Sequence, residues 1–308
     1  MHDTMEIRWL EDFLSLVDTR NFSRSAEARY TTQPAFSRRI KSLEEWIGAT
    51  LFDRTAQPIR LTPSGERFRP VAEDVLRRLY QGRDSARLIG EASVSTVRFS
   101  ATHSLSLTFF PMWLRAVELR SHTFNTRLDS NQFTDCVQSL LRGDCHFMLS
   151  HTHPSIEMHL PPAHFTSKIV GRDKLIPVTL PDRTGQPIDR LPGTRDEPVH
   201  YLAYSETSAI GRAVEHMLTH LEAPVHLNRV FVSHLAAVLK TMSSGGRGMA
   251  WLPESGIGEE LTAGSLVPAG DERWSIPVEI RLYRSRDPLP PTAEEFWTLL
   301  EGEEVATG

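Results

Sequence analysis

Apolar positions recur at helical spacing through the first ninety residues and shift toward strand-like alternation beyond them. Ile7, Leu10, Phe13, Leu14 and Val17 stand at i, i+3, i+4 spacing and predict an amphipathic helix that Arg20-Asn21 breaks. Ser23 is expected to cap a second, short helix, on which Ala26 is small enough for a neighbouring helix to come close. Tyr30-Thr31 reads as a turn. Thr32 then caps a third helix, with Pro34 in its first turn, where a missing N–H costs nothing. Phe36, Ile40, Leu43 and Ile47 form its apolar stripe, and Gln33, Ser37, Arg38 and Lys41 lie on the other face. Leu51-Phe52 and Ile59-Arg60-Leu61 read as two short strands around a Gln57-Pro58 turn.

Helix, short helix, turn, helix is a helix-turn-helix order, and the two strands add a wing. The first turns of such a third helix enter the major groove, where polar side chains reach base edges and arginines reach phosphates. Arg54 and Arg60 on the wing are placed to meet the backbone. Charge supports this assignment. Residues 1–90 hold 15 Lys and Arg against 13 Asp and Glu, a balance of +2 within a net −5, so the rest of the chain carries −7. From Arg20 to Arg60 there are eight bases against four acids, and seven of the eight are Arg. A basic head on an acidic body points to a polyanion at the head alone. The plainer alternative is a three-helix bundle whose polar face is merely solvated.

Thr62-Pro63 is a helix start, a capping hydroxyl followed by Pro at the first position. Phe68, Val71, Val75, Leu76, Leu79 and Leu88 continue at helical spacing toward Gly90, with Pro70 expected to kink the run mildly. Val97, Phe99 and Ala101 alternate before Thr102-His103-Ser104, a strand that ends at a helix start. A strand at 126–130, a helix at 133–142 closed by Gly143 and a strand at 145–150 follow. This β-α-β-α-β order argues for a parallel sheet with helices on its faces. A second set of the same kind has strands at 174–180, 200–204, 230–232 and 249–252, with helices at 210–221 and 235–242. A strand at 276–284 and a helix at 291–301 end the pattern.

Composition narrows the class. The 308 residues are 40% hydrophobic and 24% charged, an ordinary globular balance. No run of eighteen apolar residues predicts a membrane helix, and the acid-bearing start, MHDTMEIRWLEDF, is not expected to be a secretory signal. Two cysteines, Cys136 and Cys145, exclude a disulfide framework and fit a reducing, cytoplasmic location.

The stretch NFSRSAEARYTTQPAFSRRIKSLEEWIGATLFDRTAQPIRLTPSGE resembles the winged helix-turn-helix of LysR-type transcriptional regulators. Phe22, Ala26, Ala28, Gln33-Pro34-Ala35, Ser37, Ile40, Leu43-Glu44, Gly48, Leu51-Phe52, Arg54, Leu61-Thr62 and Gly65 carry the likeness. GGRGMAWLPESGIGEELTAGSLV resembles the same family's effector domain through Gly246, Gly248, Leu252-Pro253, Gly264 and Leu266-Val267. The resemblance implies an α/β multidomain chain: a winged helix-turn-helix over 5–62, a linker or dimerisation helix over 63–90 and an effector domain over 91–308. Two lobes of periplasmic-binding-protein type are implied, one over 94–167 and 270–308, the other over 168–269, with crossovers near 165–170 and 268–275. It further implies that Gln33, Pro34, Ser37 and Arg38 face DNA, that Arg54 meets phosphate, and that linker helices pair antiparallel. With Thr32, Lys41 and Arg60 these make the candidate DNA-binding set, double-stranded DNA the partner and a homodimer or homotetramer the assembly. His146 stands where the family often opens a strand with Asp. ATHSLSLTFFP, FVSHLAAVLK and RGMAWLPESGI are similar to the hypochlorite-responsive branch of the family, which suggests an oxidative-stress role. By that likeness the branch's sensing methionines fall at Ile210 and Leu235, where this chain has none.

Ligands of two-lobed folds sit where strands end and helices begin. Thr102, His103 and Ser104 open a helix of lobe one; Ser205, Thr207 and Ser208 open one in lobe two, and Ser233-His234 open the next. These hydroxyls suggest a small carboxylate or inorganic anion, held between Ser104 and Thr207 at one helix start from each lobe. The alternative is that they only cap helices. Cys145, His146, His151, His153, His159 and His164 lack metal-ligand spacing, so neither metal nor cofactor is expected. Cys136 and Cys145 read as buried and inert, and Met158 as the methionine most open to oxidation. GxSxG, a P-loop and a GxGxxG after a strand are all missing, so no enzyme is predicted. The rival class is a solute-binding or enzymatic α/β protein whose helical head only assembles it.

Overall fold

The computed structural model describes residues 5–90, 96–206, 208–221 and 224–300, and the chain divides near residue 92 into two compact units. The first holds α1 (Ile7–Thr19), α2 (Phe22–Ala28), α3 (Gln33–Ile47), β1 (Phe52–Asp53), β2 (Arg60–Leu61) and α4 (Pro63–Gly90). Leu10, Phe13 and Leu14 of α1 face inward with Trp9 and Leu16, while Ile7 is exposed. They meet Ala26, Phe36, Ile40, Leu43, Leu51 and Phe52 in one apolar core. Phe13 stands 5.3 Å from both the Phe52 and Phe68 rings, locking wing and linker to the first helix. The wing is the antiparallel pair β1–β2, with Phe52 opposite Leu61.

One cap differs from the sequence expectation. Asn21, not Ser23, caps α2: its Oδ1 accepts the N–H groups of Ser23 at 2.9 Å and Arg24 at 3.1 Å. The helix starts one residue before Ser23, which puts that hydroxyl inside it. Thr32 occupies the N-cap of α3, but by its backbone only, its carbonyl accepting from Phe36 N–H at 2.9 Å. Thr62 Oγ1 does cap α4, accepting from Gly65 N–H at 3.1 Å. Along α4 the apolar positions split between two faces. Ala72 and Leu76 join the core, whereas Val71, Val75 and Leu79 are 52%, 42% and 42% exposed. The side chain of Leu88 lies outside the described residues.

The second unit begins with β3 (Val97–Thr102), α5 (His103–Thr108), α6 (Phe110–Glu118), β4 (Thr126–Asn131), α7 (Phe133–Arg142) and β5 (Phe147–Thr152). It continues through β6 (Phe165–Thr179), β7 (Val199–Tyr204), α8 (Ala209–Thr219), β8 (Leu227–Ser233), α9 (Ala236–Ser244) and β9 (Ala250–Pro253). The last elements are α10 (Gly258–Ala263), β10 (Val267–Pro268), β11 (Ile276–Ser285) and α11 (Pro291–Leu299). Seven strands form one sheet in the order β10-β6-β11-β5-β3-β4, with β9 also on β6. β3 lies parallel to both β4 and β5, as alternating helices require. β7 and β8 form a separate parallel pair, which Met249 joins by a bridge to Tyr201. Phe99, Phe147 and Phe296 centre the sheet's main core, the ring of Phe99 lying 5.4 and 5.2 Å from the other two.

Near 165–170, where one crossover is expected, Phe165 starts a 15-residue strand, β6, that pairs antiparallel with β11 from Phe165↔Ser285 to Leu175↔Ile276. The lobe edge drawn at 167/168 therefore falls inside a continuous strand. β6 alternates apolar and polar residues poorly, so its first half carries little periodicity to reveal it. His146 has a clear place at the mouth of β5. Its amide donates to the Arg98 carbonyl at 2.9 Å, and its ring Nδ1 accepts the Arg98 N–H at 3.2 Å, stitching β5 to β3.

Candidate functional site

The first candidate face is α3 with its wing. Thr32, Gln33, Pro34, Arg38 and Lys41 are exposed and Ser37 is half-buried, while Phe36 and Ile40 turn into the core. The 3.6-residue period thus separates a polar face from an apolar one, with Arg54 and Arg60 exposed on the wing beside it. Arg38 and Arg39 adjoin in sequence and differ in role. Arg39 Nε lies 3.0 Å from Asp12 Oδ2, and Arg29 Nε lies 3.0 Å from the other oxygen of the same fully buried carboxylate. Glu44 organises the wing. Its Oε1 accepts the N–H groups of Leu51 at 2.8 Å and Phe52 at 3.2 Å, and its Oε2 meets Arg54 at 2.8 Å. Arg54 also lies over the Phe22 ring at 5.5 Å. Glu44 was visible in the sequence only as a matching position. Its acid beside two strand amides is what three-dimensional packing adds.

The second candidate is a small, solvent-open cleft in the second unit. Thr102, His103 and Ser104, expected as ligand residues, line it. Ser205 and Ser233 do not; the Ser205 amide pairs with the Ser233 carbonyl at 3.0 Å, and Ser233 Oγ accepts from Leu235 N–H at 3.2 Å. Thr207 lies outside the described residues. The neighbours Ser208 and His234 line the cleft instead, although Ser208 Oγ also caps α8 through Gly211 N–H at 3.2 Å. Sequence reasoning missed Asn131, Ser150, His151 and Tyr204, which arrive from the ends of β4, β5 and β7. Only the sheet brings them together, so no local motif marks them.

Three polar atoms in this lining are buried without a hydrogen-bond partner: Thr102 Oγ1, His151 Nδ1 and Tyr204 OH. Leaving such an atom unpaired costs roughly 1–3 kcal/mol, which a ligand can recover. His151 Nε2 faces Asp173 Oδ2 at 3.2 Å. Burial pushes the Tyr204 hydroxyl up, so it stays protonated and can donate. His103 Nδ1 pairs with Ser130 Oγ at 2.9 Å, and its ring centre lies 6.0 Å from that of His234. Burial first, then the nearness of His234, holds His103 below the ordinary histidine range, while Asp135 pulls the other way. Ile210 lines the cleft, and among the described lining residues there is neither Met nor Cys.

The other candidates have settled places. Cys136 and Cys145 are buried free thiols; burial pushes Cys136 up to about 11 and Cys145 higher still, so both stay protonated. Met158 is half-buried, its sulfur accepting from Thr152 Oγ1 at 3.5 Å. Among the described residues no group of three or more His, Cys, Asp or Glu is arranged to hold a metal ion. Also among them, no helix is long and apolar enough to cross a membrane.

Known proteins resemble this chain along nearly its whole length. Residues 7–66 match the bacterial regulatory helix-turn-helix protein, lysR family, and residues 90–304 match the LysR substrate binding domain. The HTH-type transcriptional regulator YjiE of Escherichia coli K12 is 32% identical over 305 residues, 98% of this chain and 96% of that protein. The crystal structure of Vibrio fischeri DarR in complex with DNA aligns with TM-score 0.58 and 33% identity, over 98% of this chain and 100% of that one. Full-length HypT of Salmonella typhimurium, a hypochlorite-specific LysR-type regulator, aligns with TM-score 0.58 and 31% identity over 97% and 98%. Its regulatory domain with bromide ion bound aligns at TM-score 0.57 and 27% identity, over 68% of this chain and 94% of that one. A helix-turn-helix match at the head, a substrate-binding-domain match over the rest and a regulator 32% identical along nearly the whole chain agree, and the chain belongs to the LysR family of DNA-binding transcriptional regulators.

Proposed function

We propose that this regulator binds a small inorganic or organic anion in the cleft of its second unit and that occupancy alters its binding to operator DNA. The supporting observation is the trio of buried, unpartnered polar atoms, Thr102 Oγ1, His151 Nδ1 and Tyr204 OH, around one cleft. Two of them can donate hydrogen bonds, as an anion requires. The bromide-bound HypT domain lends support from a relative at 27% identity. Thr32, Gln33, Pro34, Ser37, Arg38 and Lys41 would meet the major groove, with Arg54 and Arg60 on the flanking phosphates. Ligand binding shifts operator affinity only as far as it favours one arrangement of the lobes over another.

Under this reading the protein acts in the cytoplasm as a homo-oligomer joined through α4, and it is not an enzyme. The exposed Val71, Val75 and Leu79 on one run of that helix support pairing with a second copy. A sulfur-oxidation mode, suggested by the hypochlorite-specific relative, has less support. Ile210 gives the cleft an aliphatic side chain where that mode needs a thioether. Titration of the full-length protein with bromide, chloride and formate tests the anion reading. Tyr204→Phe removes one donor at constant shape and should weaken the best anion about tenfold. Equal affinity in both proteins, or no binding of any of the three, would refute it.

A further inference from the structure

We infer that the cleft takes up one proton together with its anion, held on Nδ1 of His151, so that the ligand is bound as the elements of a small monobasic acid. The inference rests on the anion reading above and specifies its chemistry. Among the described residues lining the cleft there is no Lys, Arg, Asp or Glu. Among these lining residues only a histidine can supply a countercharge, and an anion withdrawn from water beside one is cheaper to hold than an unbalanced one.

The surroundings of His151 choose it. Its side chain is 1% exposed, and Nε2 lies 3.2 Å from Asp173 Oδ2. Asp173 already accepts from Ser255 Oγ at 2.6 Å, Ser255 N–H at 3.2 Å and Lys174 N–H at 2.8 Å. Burial raises the Asp173 carboxyl, but the hydrogen bonds it accepts from His151, Ser255 and Lys174 outweigh that and hold the group below the usual range. Asp173 is therefore a carboxylate with nothing to donate, and Nε2 must carry the hydrogen between them. In the neutral ring this leaves a lone pair on Nδ1, buried at the cleft with no donor opposite. A lone pair repels an anion. A second proton turns the same atom into a charged donor, while Asp173 balances the new charge from behind.

Other groups around the site do not supply this charge. Tyr204 on β7 and Thr102 at the end of β3 offer neutral donors. On α5, His103 is tied to Ser130 and opposed by His234, with Asp135 on α7 behind it. Arg212 on α8 lies over the Phe133 ring, 5.6 Å from its centre, outside the lining. Glu279 and Arg281, flanking the β11 residue that pairs with His151, bind each other at 2.7 Å. One protonated imidazole neutralises one charge, so the site favours monoanions.

Bromide is the probe, because it carries no proton of its own at any working pH. Full-length protein is titrated calorimetrically between pH 7 and 8.5, in buffers of different ionisation heat to count protons. Affinity should fall about tenfold from pH 7.5 to 8.5, with close to one proton taken up per bromide at pH 8. His151→Gln keeps an N–H toward Asp173 and should abolish both effects, whereas His103→Gln should keep them. Binding that is flat with pH and takes up no proton overturns the inference and leaves the anion reading intact. So does a pH dependence that survives in His151→Gln or disappears in His103→Gln. Failure of bromide to bind at any pH removes the anion reading itself. The proton count on the unaltered protein decides the question even if His151→Gln does not fold.

Discussion

Arg39 Nε reaches the fully buried carboxylate of Asp12 at 3.0 Å, while its sequence neighbour Arg38 projects from α3 into solvent. One arginine therefore holds α3 to α1, and the other is free to meet DNA. Arg38→Ala should weaken specific DNA binding by about 1–3 kcal/mol and leave the melting temperature unchanged. Arg39→Ala should destabilise the head by about 2 kcal/mol, because the buried Asp12 keeps only Arg29 as counter-ion. Anisotropy titrations and thermal melts of both variants separate the two roles. A thermal loss in Arg38→Ala, or none in Arg39→Ala, would reverse the assignment.

Glu44 is the hinge pin of the wing. Its two oxygens hold the Leu51 and Phe52 amides and Arg54. Glu44→Ala leaves two strand amides without their acceptor and frees Arg54. About 1–3 kcal/mol of stability should be lost, together with part of the DNA affinity. Hydrogen exchange at the Leu51 and Phe52 amides reports this directly. Exchange as slow as in the unaltered protein would show that the wing stands without Glu44.

The linker predicts assembly. Exposing Val71, Val75 and Leu79 to water forfeits a few kcal/mol at roughly 25 cal/mol per Å² of apolar surface. A second α4 is the economical cover. Sedimentation at micromolar concentration should show a dimer or larger species, and Val75→Asp should shift it toward monomer by about a hundredfold in dissociation constant. A monomeric unaltered protein would contradict this.

His146 makes the second unit sensitive to acid. Burial first, then the charge of Arg98, pushes its ring down to about 3. An unfolded histidine titrates near 6.5, so between those values the unfolded chain binds the extra proton. Stability from this group is whole well above pH 6.5 and is lost as pH falls, by roughly 3 kcal/mol at pH 4.5. His146→Asn keeps an acceptor for the Arg98 N–H without the titration. Denaturant melts from pH 7.5 to 4.5 should fall less steeply in that variant; equal slopes would place the acid sensitivity elsewhere.

The head was legible in sequence almost residue by residue, because its signals are local. Phe36, Ile40 and Leu43 are one helical stripe, and Pro34 marks the start of that helix. The cap lies two residues before Ser23, since Asn21 and Ser23 are both capping residues and only the backbone chooses between them. In the body, Thr102, His103 and Ser104 stood out as hydroxyl and imidazole side chains at a strand end. His151 and Tyr204 did not, because a strand-end polar residue acquires meaning only when the sheet lays β3, β5 and β7 around one cavity. The long strand β6 hid for a similar reason. Its pairing with β11 spans over a hundred residues of sequence, and its half-buried first part lacks a clean period.

The account stands on the cleft controlling the DNA-binding head, and one measurement addresses that link. A duplex selected from a random-sequence library by the full-length protein is titrated by anisotropy with and without bromide, at pH 7 and at ionic strength held constant with potassium glutamate. Saturating bromide should change the operator dissociation constant by about five- to a hundredfold, in the range of ordinary allosteric coupling, and Tyr204→Phe should need about ten times more bromide for the same change. An operator affinity that bromide leaves untouched, while calorimetry shows the cleft filled, would contradict the claim that the cleft is the regulatory site.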